Sequence, residues 1–391
     1  MREGWEIKTI GEVCEIYNGG TPSTNIPEYW DGGIQWITPK DMGKSKEMYV
    51  SHCERTITQE GVEHSSAKVL PERSVIVSSR APIGYVAINE VPMATNQGCK
   101  GFVLGKEIYP EFLYYFLLSS TELLNKLGTG ATFKEVSGKK LAGIELPLPS
   151  LPEQQRIVDI LDREFAKIDA LKANAEKSLQ AAKDLFLQIL TETFSNPDWT
   201  RKRIGDVFDT GAGGTPLKTY KEYYENGDIP WLRSGEVCKK YIIETELFIT
   251  QLGMDNSSAK MFPENSVVVA MYGATAGQVG ILHLETTTNQ AVCGIFPRKD
   301  YIPEFVYYSL LNSKKGLVAQ ATGNAQPNIS QIKIKNTTIP VISKDKQVAV
   351  VSRLDDLNDL CNALQENYHR TLTLCDDLKQ SLLRKAFNGE L

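Results

Sequence analysis

Pro110-Glu111-Phe112-Leu113-Tyr114-Tyr115 returns later in the chain as Pro303-Glu304-Phe305-Val306-Tyr307-Tyr308. Outward from this block the same correspondence continues. Thr95-Asn96-Gln97 matches Thr288-Asn289-Gln290, and Thr129-Gly130 matches Thr322-Gly323. Toward the start, Ser65-Ser66-Ala67-Lys68 matches Ser257-Ser258-Ala259-Lys260, and each is followed shortly by Pro-Glu. Ile34-Gln35-Trp36-Ile37 matches Ile229-Pro230-Trp231-Leu232, Gly19-Gly20-Thr21-Pro22 matches Gly213-Gly214-Thr215-Pro216, and Ile10-Gly11-Glu12-Val13 matches Ile204-Gly205-Asp206-Val207. The offset stays between 192 and 195 residues throughout. Two copies of this length are too few and too long for a solenoid, so they read as a pseudo-dimer on one chain.

Each copy divides into a head and a tail. The heads, 1–149 and 197–342, carry short β-branched runs such as Val75-Ile76-Val77 and Val267-Val268-Val269 after Pro-Glu turns. Gly84-Tyr85-Val86-Ala87-Ile88 and Gly277-Gln278-Val279-Gly280-Ile281 follow as further strands. Frequent Gly and Pro make these β-rich mixed domains. One helix is predicted in each, Phe112 to Leu124 and Phe305 to Leu317, opened by Pro-Glu.

The tails, 150–196 and 343–391, have a helical period. Apolar residues fall at Ile157, Leu161, Phe165, Ile168, Leu171, Ala175, Leu179, Ala182, Phe186 and Ile189, always three or four apart. The second stripe is Val350, Leu354, Leu357, Cys361, Leu364, Tyr368, Leu372, Cys375, Leu378 and Leu382. A helix of about 40 residues spans roughly 60 Å, and one stripe alone would leave a long apolar face in water. Packing the two tails against each other as an antiparallel coiled coil, heads at opposite ends, removes that cost within the chain. A homomeric coiled coil is the alternative. The expected fold class is therefore α+β: two β-rich mixed domains joined by two long antiparallel helices in a pseudo-two-fold repeat.

Composition bounds the function. The chain has 391 residues, 41% apolar and 23% charged, as soluble globular proteins do. No apolar run reaches the roughly 18 residues a membrane span needs, and Met1-Arg2-Glu3-Gly4-Trp5 lacks the apolar core of a signal peptide, so a cytoplasmic location is expected. The seven cysteines form no C-x-x-C pair and only four histidines accompany them, so buried reduced thiols are expected rather than a zinc site or disulfides. Net charge is −5, distributed as −3, −2, +1 and −1 over 1–149, 150–196, 197–342 and 343–391. No segment is a basic module, so phosphate contacts must come from local loops or from a partner.

Catalytic motifs are not found. Gly43-Lys44-Ser45 resembles the end of a P-loop, but Thr38 stands where the leading Gly belongs. Gly211-Ala212-Gly213-Gly214 has Asn18-Gly19-Gly20 as its counterpart and reads as a turn. Asn196-Pro197-Asp198-Trp199 is similar to the Asn-Pro-Pro-Tyr motif of adenine methyltransferases but lacks its second Pro. Glu6-Ile7-Lys8 and Asp377-Leu378-Lys379 have no preceding acidic partner for a nuclease metal. His52, His64, His283 and His369 each stand alone.

Two β-rich heads alternating with two long helices, in repeat over essentially the whole chain, resemble the specificity subunits of type I restriction-modification systems. Local marks agree. Leu146-Pro147-Leu148-Pro149 leads through Pro152-Glu153-Gln154-Gln155-Arg156-Ile157-Val158 to Leu161-Asp162, and a weaker copy runs from Ile339-Pro340-Val341 through Gln347 and Val350-Val351 to Leu354-Asp355. The ending Leu383-Arg384-Lys385-Ala386-Phe387-Asn388-Gly389-Glu390-Leu391 is similar to the family's ending. The resemblance implies a non-catalytic DNA reader whose heads are target-recognition domains, each reading one half of a split asymmetric site. It implies helices that set the gap and dock two methyltransferase subunits, joined by restriction subunits. It places S-adenosylmethionine and ATP with Mg on those partners and no cofactor or metal on this chain. A coiled-coil adaptor with two protein-binding heads is the rival reading, and a self-contained methyltransferase or nuclease is a third.

Within the repeat, shared positions should serve scaffold or phosphate contacts and differing loops should serve base choice. Thr38-Pro39-Lys40-Asp41 has Arg233-Ser234-Gly235-Glu236 as its counterpart, and Ser78-Ser79-Arg80 has Met271-Tyr272-Gly273. Lys40 and Arg80 in the first head, and Arg233 and Tyr272 in the second, are the candidate DNA contacts. Asn96-Gln97 and Asn289-Gln290 either contact DNA or cap a turn. Lys134 and Asn328 are candidates in the loops Thr129 to Glu135 and Thr322 to Ser330. Trp36 and Trp231 read as core anchors rather than stacking platforms.

Overall fold

The computed structural model describes residues 4–45, 47–80, 82–130, 134–320 and 328–391. The expected repeat partners Thr322-Gly323, the start Met1-Arg2-Glu3 and parts of both candidate loops lie outside the described residues. The fold is α+β. It separates into two compact units, one of Met1–Glu176 with Arg370–Leu391 and one of Lys177–His369. Each long helix therefore contributes residues to both units.

In the first unit a five-stranded sheet has the order Cys14–Asn18, Cys99–Leu104, Val75–Ser78, Val86–Asn89, Tyr49–Val50. The run Val75–Ser78 is buried at every position. Period-two alternation explains why: Val75 and Val77 face one apolar cluster with Phe102 and Phe112, whereas Ile76 faces another with Ile37 and Cys99. A second sheet, ordered Thr56–Ile57, Trp30–Ile37, Met93–Thr95, Val69–Leu70, lies in the same head. The first and last strands of the head, Glu6–Thr9 and Glu145–Leu148, pair antiparallel. That pairing closes the head where the long helix begins.

The second unit repeats this plan. Its five-stranded sheet runs Thr210–Ala212, Val292–Ile295, Val267–Ala270, Val279–Leu282, Tyr241–Ile242, and Arg201–Arg203 pairs with Thr338–Pro340. Val267 and Val269 face one cluster and Val268 and Ala270 another. Backbone conformations repeat as well: Asp31 and Asn226 both have φ of 58°, and Arg73 and Asn265 both have φ of 67°. Asp and Asn tolerate this left-handed region; at the third and fourth positions the turn is tied by a backbone hydrogen bond, from the Arg73 amide to Asn89 at 2.8 Å and from the Asn265 amide to Leu282 at 2.7 Å.

The predicted head helices form with one difference. The second is continuous over Pro303–Ala319, but the first ends at Ser119 and restarts as Thr121–Leu127. Ser119 and Thr121 donate their hydroxyls to the carbonyls of Phe116 and Leu118, which competes with the helix ladder at that point.

The tails form helices over Leu151–Phe194 and Lys344–Phe387. Inside the first unit they run antiparallel: Lys172 bridges Asp376 at 2.7 Å, Lys379 bridges Asp169, and the Arg156 guanidinium donates to the Leu391 carbonyl at 2.7 Å. The expected stripe holds at Ile157, Leu161, Ile168, Ala175, Leu179, Ala182, Leu354, Cys361 and Cys375, which are all buried. Near helix ends it moves by one residue, to Leu190, Val351 and Leu383, while Leu171 and Leu378 are about half exposed. A straight helix drifts by about 20° per heptad against a 3.5 repeat, and these ends pack on a head instead of a helix. Phe387 meets Phe112 and Phe116 edge-on in the first head, and Phe194 meets Phe305 in the second. No helix among the described residues is long and apolar enough to cross a membrane.

Candidate nucleic-acid interface

The repeated motifs build a junction in each head. A Cβ on Gly20 would lie 2.1 Å from the Ala67 nitrogen, and one on Gly214 would lie 2.3 Å from the Ala259 nitrogen. The shared Gly-Gly and Ser-Ser-Ala-Lys segments thus pass each other at backbone contact, which only glycine allows. Trp36 and Trp231 are buried, and their indole N–H groups donate to the carbonyls of Gly20 at 2.9 Å and Gly214 at 3.0 Å. They anchor the core, as the sequence reading expected.

Three backbone hydrogen bonds then gather the candidate loops. In the first head the Asn96 amide donates to Ile37 (2.8 Å), the Ser79 amide to Gly98 (2.8 Å) and the Val136 amide to Ser79 (3.0 Å). In the second, Asn289 donates to Leu232 (2.9 Å), Met271 to Ala291 (2.8 Å) and Ile329 to Met271 (2.8 Å). Segments carrying Lys40, Arg80, Asn96, Gln97 and Lys134 therefore meet in the first head, and those carrying Arg233, Tyr272, Asn289, Gln290 and Asn328 meet in the second. Gly98 marks the crowding, since the side chains of Pro39 and Arg80 both close over it.

The candidates differ in how they are held. Lys40 is exposed and shares Glu54 with Lys44, at 3.1 and 2.7 Å. These two ammonium groups hold the Glu54 carboxyl below its ordinary range, Lys44 more strongly. Arg80 has about a third of its side chain exposed, with its guanidinium 3.8 Å from Glu135. Arg233 pairs with both Glu236 and Glu246. Tyr272 is partly exposed and bridges the exposed Asn328 through backbone. Lys134 is exposed. Asn96 accepts from the Gly98 amide at 2.6 Å and Asn289 from the Ala291 amide at 3.2 Å, so both cap their turns. Gln97 and Gln290 point to the exposed side of those turns, with Gln290 accepting from the Thr215 hydroxyl.

Carboxylates that sequence reading passed over organise these loops. Asp41 accepts from the Thr38 amide at 2.9 Å and the Glu54 amide at 3.2 Å. Glu236 does the same for Arg233 at 3.0 Å and Glu246 at 2.8 Å. Their signal was present, because Asp41 and Glu236 occupy matching places in the repeat. Lys140 and Lys333 likewise brace the loops, donating to the carbonyls of Leu127 and Gln320. Lys100 gave no repeat signal, since Cys293 is its counterpart. The arrangement offers cations and amides on differing loops over a common scaffold. The thiols of Cys14 and Cys293, which are buried, and of Cys53, which is partly buried, are poor nucleophiles here, since burial pushes all three up to about 12.

The model of the type I restriction modification DNA specificity domain matches this chain twice, at residues 2–181 and 196–374. The MjaIX specificity subunit of Methanocaldococcus jannaschii is 30% identical over 400 residues, covering 90% of this chain and 91% of that one. The EcoR124I/EcoR124II specificity subunit of Escherichia coli is 39% identical over 165 residues, 40% of each chain. Among solved structures, a chain from a study of the assembly and conformational transition of a type I R-M system superposes with a TM-score of 0.82 at 20% identity, covering 100% of this chain and 99% of that one. The HsdS subunit from Thermoanaerobacter tengcongensis superposes with a TM-score of 0.63, also at 20% identity, covering 100% and 98%. These two likenesses concern the fold.

Proposed function

The chain belongs to the type I restriction-modification DNA specificity family, and on that premise we propose that its first head reads one half of a bipartite, asymmetric DNA site and its second head the other. It is the non-catalytic, DNA-recognition component of such a system. The observation that carries the bipartite reading is the pair of junctions. Their scaffolds match hydrogen bond for hydrogen bond, yet one presents Lys40, Arg80 and Lys134 and the other Arg233, Tyr272 and Asn328. Equal scaffolds with unequal side chains are what two readers of unlike sequences require.

The long helices set the number of unread bases between the half-sites. Two methyltransferase subunits dock on them, and restriction subunits join that core. S-adenosylmethionine and ATP with Mg are bound by these partners. Linking two readers turns the second binding event into an intramolecular one, so two weak half-sites make one tight site. The mixed charge of both junctions fits this division of labour, because partner subunits can supply further phosphate contacts.

Methylation mapping tests this. The chain is co-expressed with its cognate methyltransferase subunit in a host lacking adenine methylation, and modified bases are sequenced. A split motif around a fixed gap is expected. A stable complex of the two proteins without new methylation overturns the reading.

A further inference from the structure

Among the described residues, the first junction contains a buried cation that the second lacks. Lys100 pairs with Val77 in the central sheet, and Cys293 pairs with Val269 at the matching place. Lys100 is only 5% exposed. A lysine is almost never fully buried without a partner. Its ammonium group lies 3.1 Å from Glu135, and the other oxygen of that carboxylate lies 3.8 Å from the Arg80 guanidinium. Arg80 and Glu135 are also joined as a backbone bridge, and Thr129 and Glu135 exchange two hydrogen bonds of 3.0 Å. The carboxylate is thus fixed at its own backbone and at one oxygen.

This geometry has a consequence for Arg80. At 3.8 Å the guanidinium is attracted but not hydrogen-bonded, so its donors stay available. Lys100 neutralises Glu135, so the group of three keeps one positive charge, and the cation that reaches solvent is Arg80, about a third exposed, rather than the buried Lys100. An arginine fork of this kind matches the O6 and N7 acceptors of guanine in the major groove. Strand pairing shifts the register read from the sequence by one residue: Met271, not Tyr272, matches Ser79. In the second head the position of Arg80 is therefore taken by Tyr272, and among the described residues no buried lysine stands behind it.

We propose that Glu135, held by Lys100, is a positioning residue that aims Arg80 at a guanine in the half-site read by the first head. The assignment rests on the bipartite reading above and adds the base and the residue that secures it. Without the carboxylate charge the guanidinium loses its orientation and the discrimination at that one base falls.

The experiment is methylation mapping of the full chain with its methyltransferase subunit, comparing the unaltered protein with Glu135→Gln, Glu135→Asp and Arg80→Gln. Glu135→Gln is expected to relax one guanine position of one half-site by on the order of tenfold while the other half-site is unchanged. Arg80→Gln is expected to relax the same position, and Glu135→Asp to restore most of the preference. A general loss of folding would lower methylation at all sites without changing which bases are preferred. An unchanged motif with Glu135→Gln, or relaxation at a position different from that of Arg80→Gln, overturns the proposal and leaves the bipartite reading standing. If Glu135→Gln does not assemble, Arg80→Gln decides alone: an unchanged motif overturns the assignment. An unaltered protein that produces no split motif removes the reading and the proposal together.

Discussion

The side-chain amide of Gln154 donates to the carbonyl oxygen of Glu107 at 2.8 Å, and that contact ties the start of a long helix to its head. Gln154 also donates to Pro149 at 2.9 Å and accepts from the Tyr109 amide at 3.0 Å. Gln347 repeats all three bonds, with Asp300, Ile342 and Ile302. Both glutamines are fully buried. Gln154→Leu leaves backbone groups unsatisfied, each costing about 1–3 kcal/mol. The expected loss is about 3 kcal/mol for either Gln154→Leu or Gln347→Leu, read from urea unfolding followed by circular dichroism. A loss under about 0.5 kcal/mol would mean that water replaces the clamp.

A second repeated tie should respond unequally. Tyr115 donates to Asp162 at 2.5 Å, and Tyr308 donates to Asp355. Burial, reinforced by the carboxylate partner, holds both phenols protonated well above the usual tyrosine range. Asp355 is also paired with Lys240, so Tyr308→Phe leaves its charge compensated. Tyr115→Phe is expected to cost roughly 1.5–3 kcal/mol, as for hydrogen bonds to charged groups, and Tyr308→Phe less. Thermal unfolding of the two variants checks the order.

The thiols predict an alkaline weakness. Cys14, Cys53 and Cys293 titrate from an ordinary value of 9.0 up to about 12 in the folded protein, because burial disfavours the thiolate. Unfolded thiols release protons near 9 while folded ones keep them. Unfolding therefore releases protons in this window, and stabilisation that is complete below pH 9 is lost as pH rises toward 12. Urea midpoints measured from pH 8 to pH 11 should fall. At pH 8 a thiol reagent should label the exposed Cys238 first and the buried five only on unfolding.

The glycine crossings should tolerate no side chain. Gly20→Ala and Gly214→Ala place a Cβ against backbone nitrogen, whereas a Cβ on Gly33 meets nothing within 4 Å. Each of the first two is expected to cost about 3 kcal/mol or more and Gly33→Ala well under 1 kcal/mol. Comparable melting temperatures for all three would show that the crossing can open.

Replacing residues 197–342 by the corresponding head of another family member should change one half of the methylated motif. Sequencing of modified bases reads the result directly. A change in both halves would show that the heads do not read independently.

Much of this was legible in the chain. An offset held between 192 and 195 residues could only mean two copies of one plan, and a stripe of three- and four-residue steps without Pro or Gly could only mean long helices. Matching places also located the junction loops, because the short runs around Arg80 and Tyr272 differ inside otherwise matching surroundings, while their register, Arg80 opposite Tyr272, came only from strand pairing. Local periodicity and turn chemistry carry that information, and both act over a few residues.

What tertiary structure decided was the partner of each charge and the fate of each helix end. Arg80, Lys100 and Glu135 are far apart in sequence and meet only because strand pairing brings Gly98 beside Ser79 and Val136 onto it. Leu190, Val351 and Leu383 are buried instead of Ile189, Val350 and Leu382 because helix ends dock on sheets and head helices, where a coiled-coil seam no longer sets the phase. Sequence fixes which residues seek burial or a partner. Which ones find each other depends on long-range packing, whose geometry no local pattern contains.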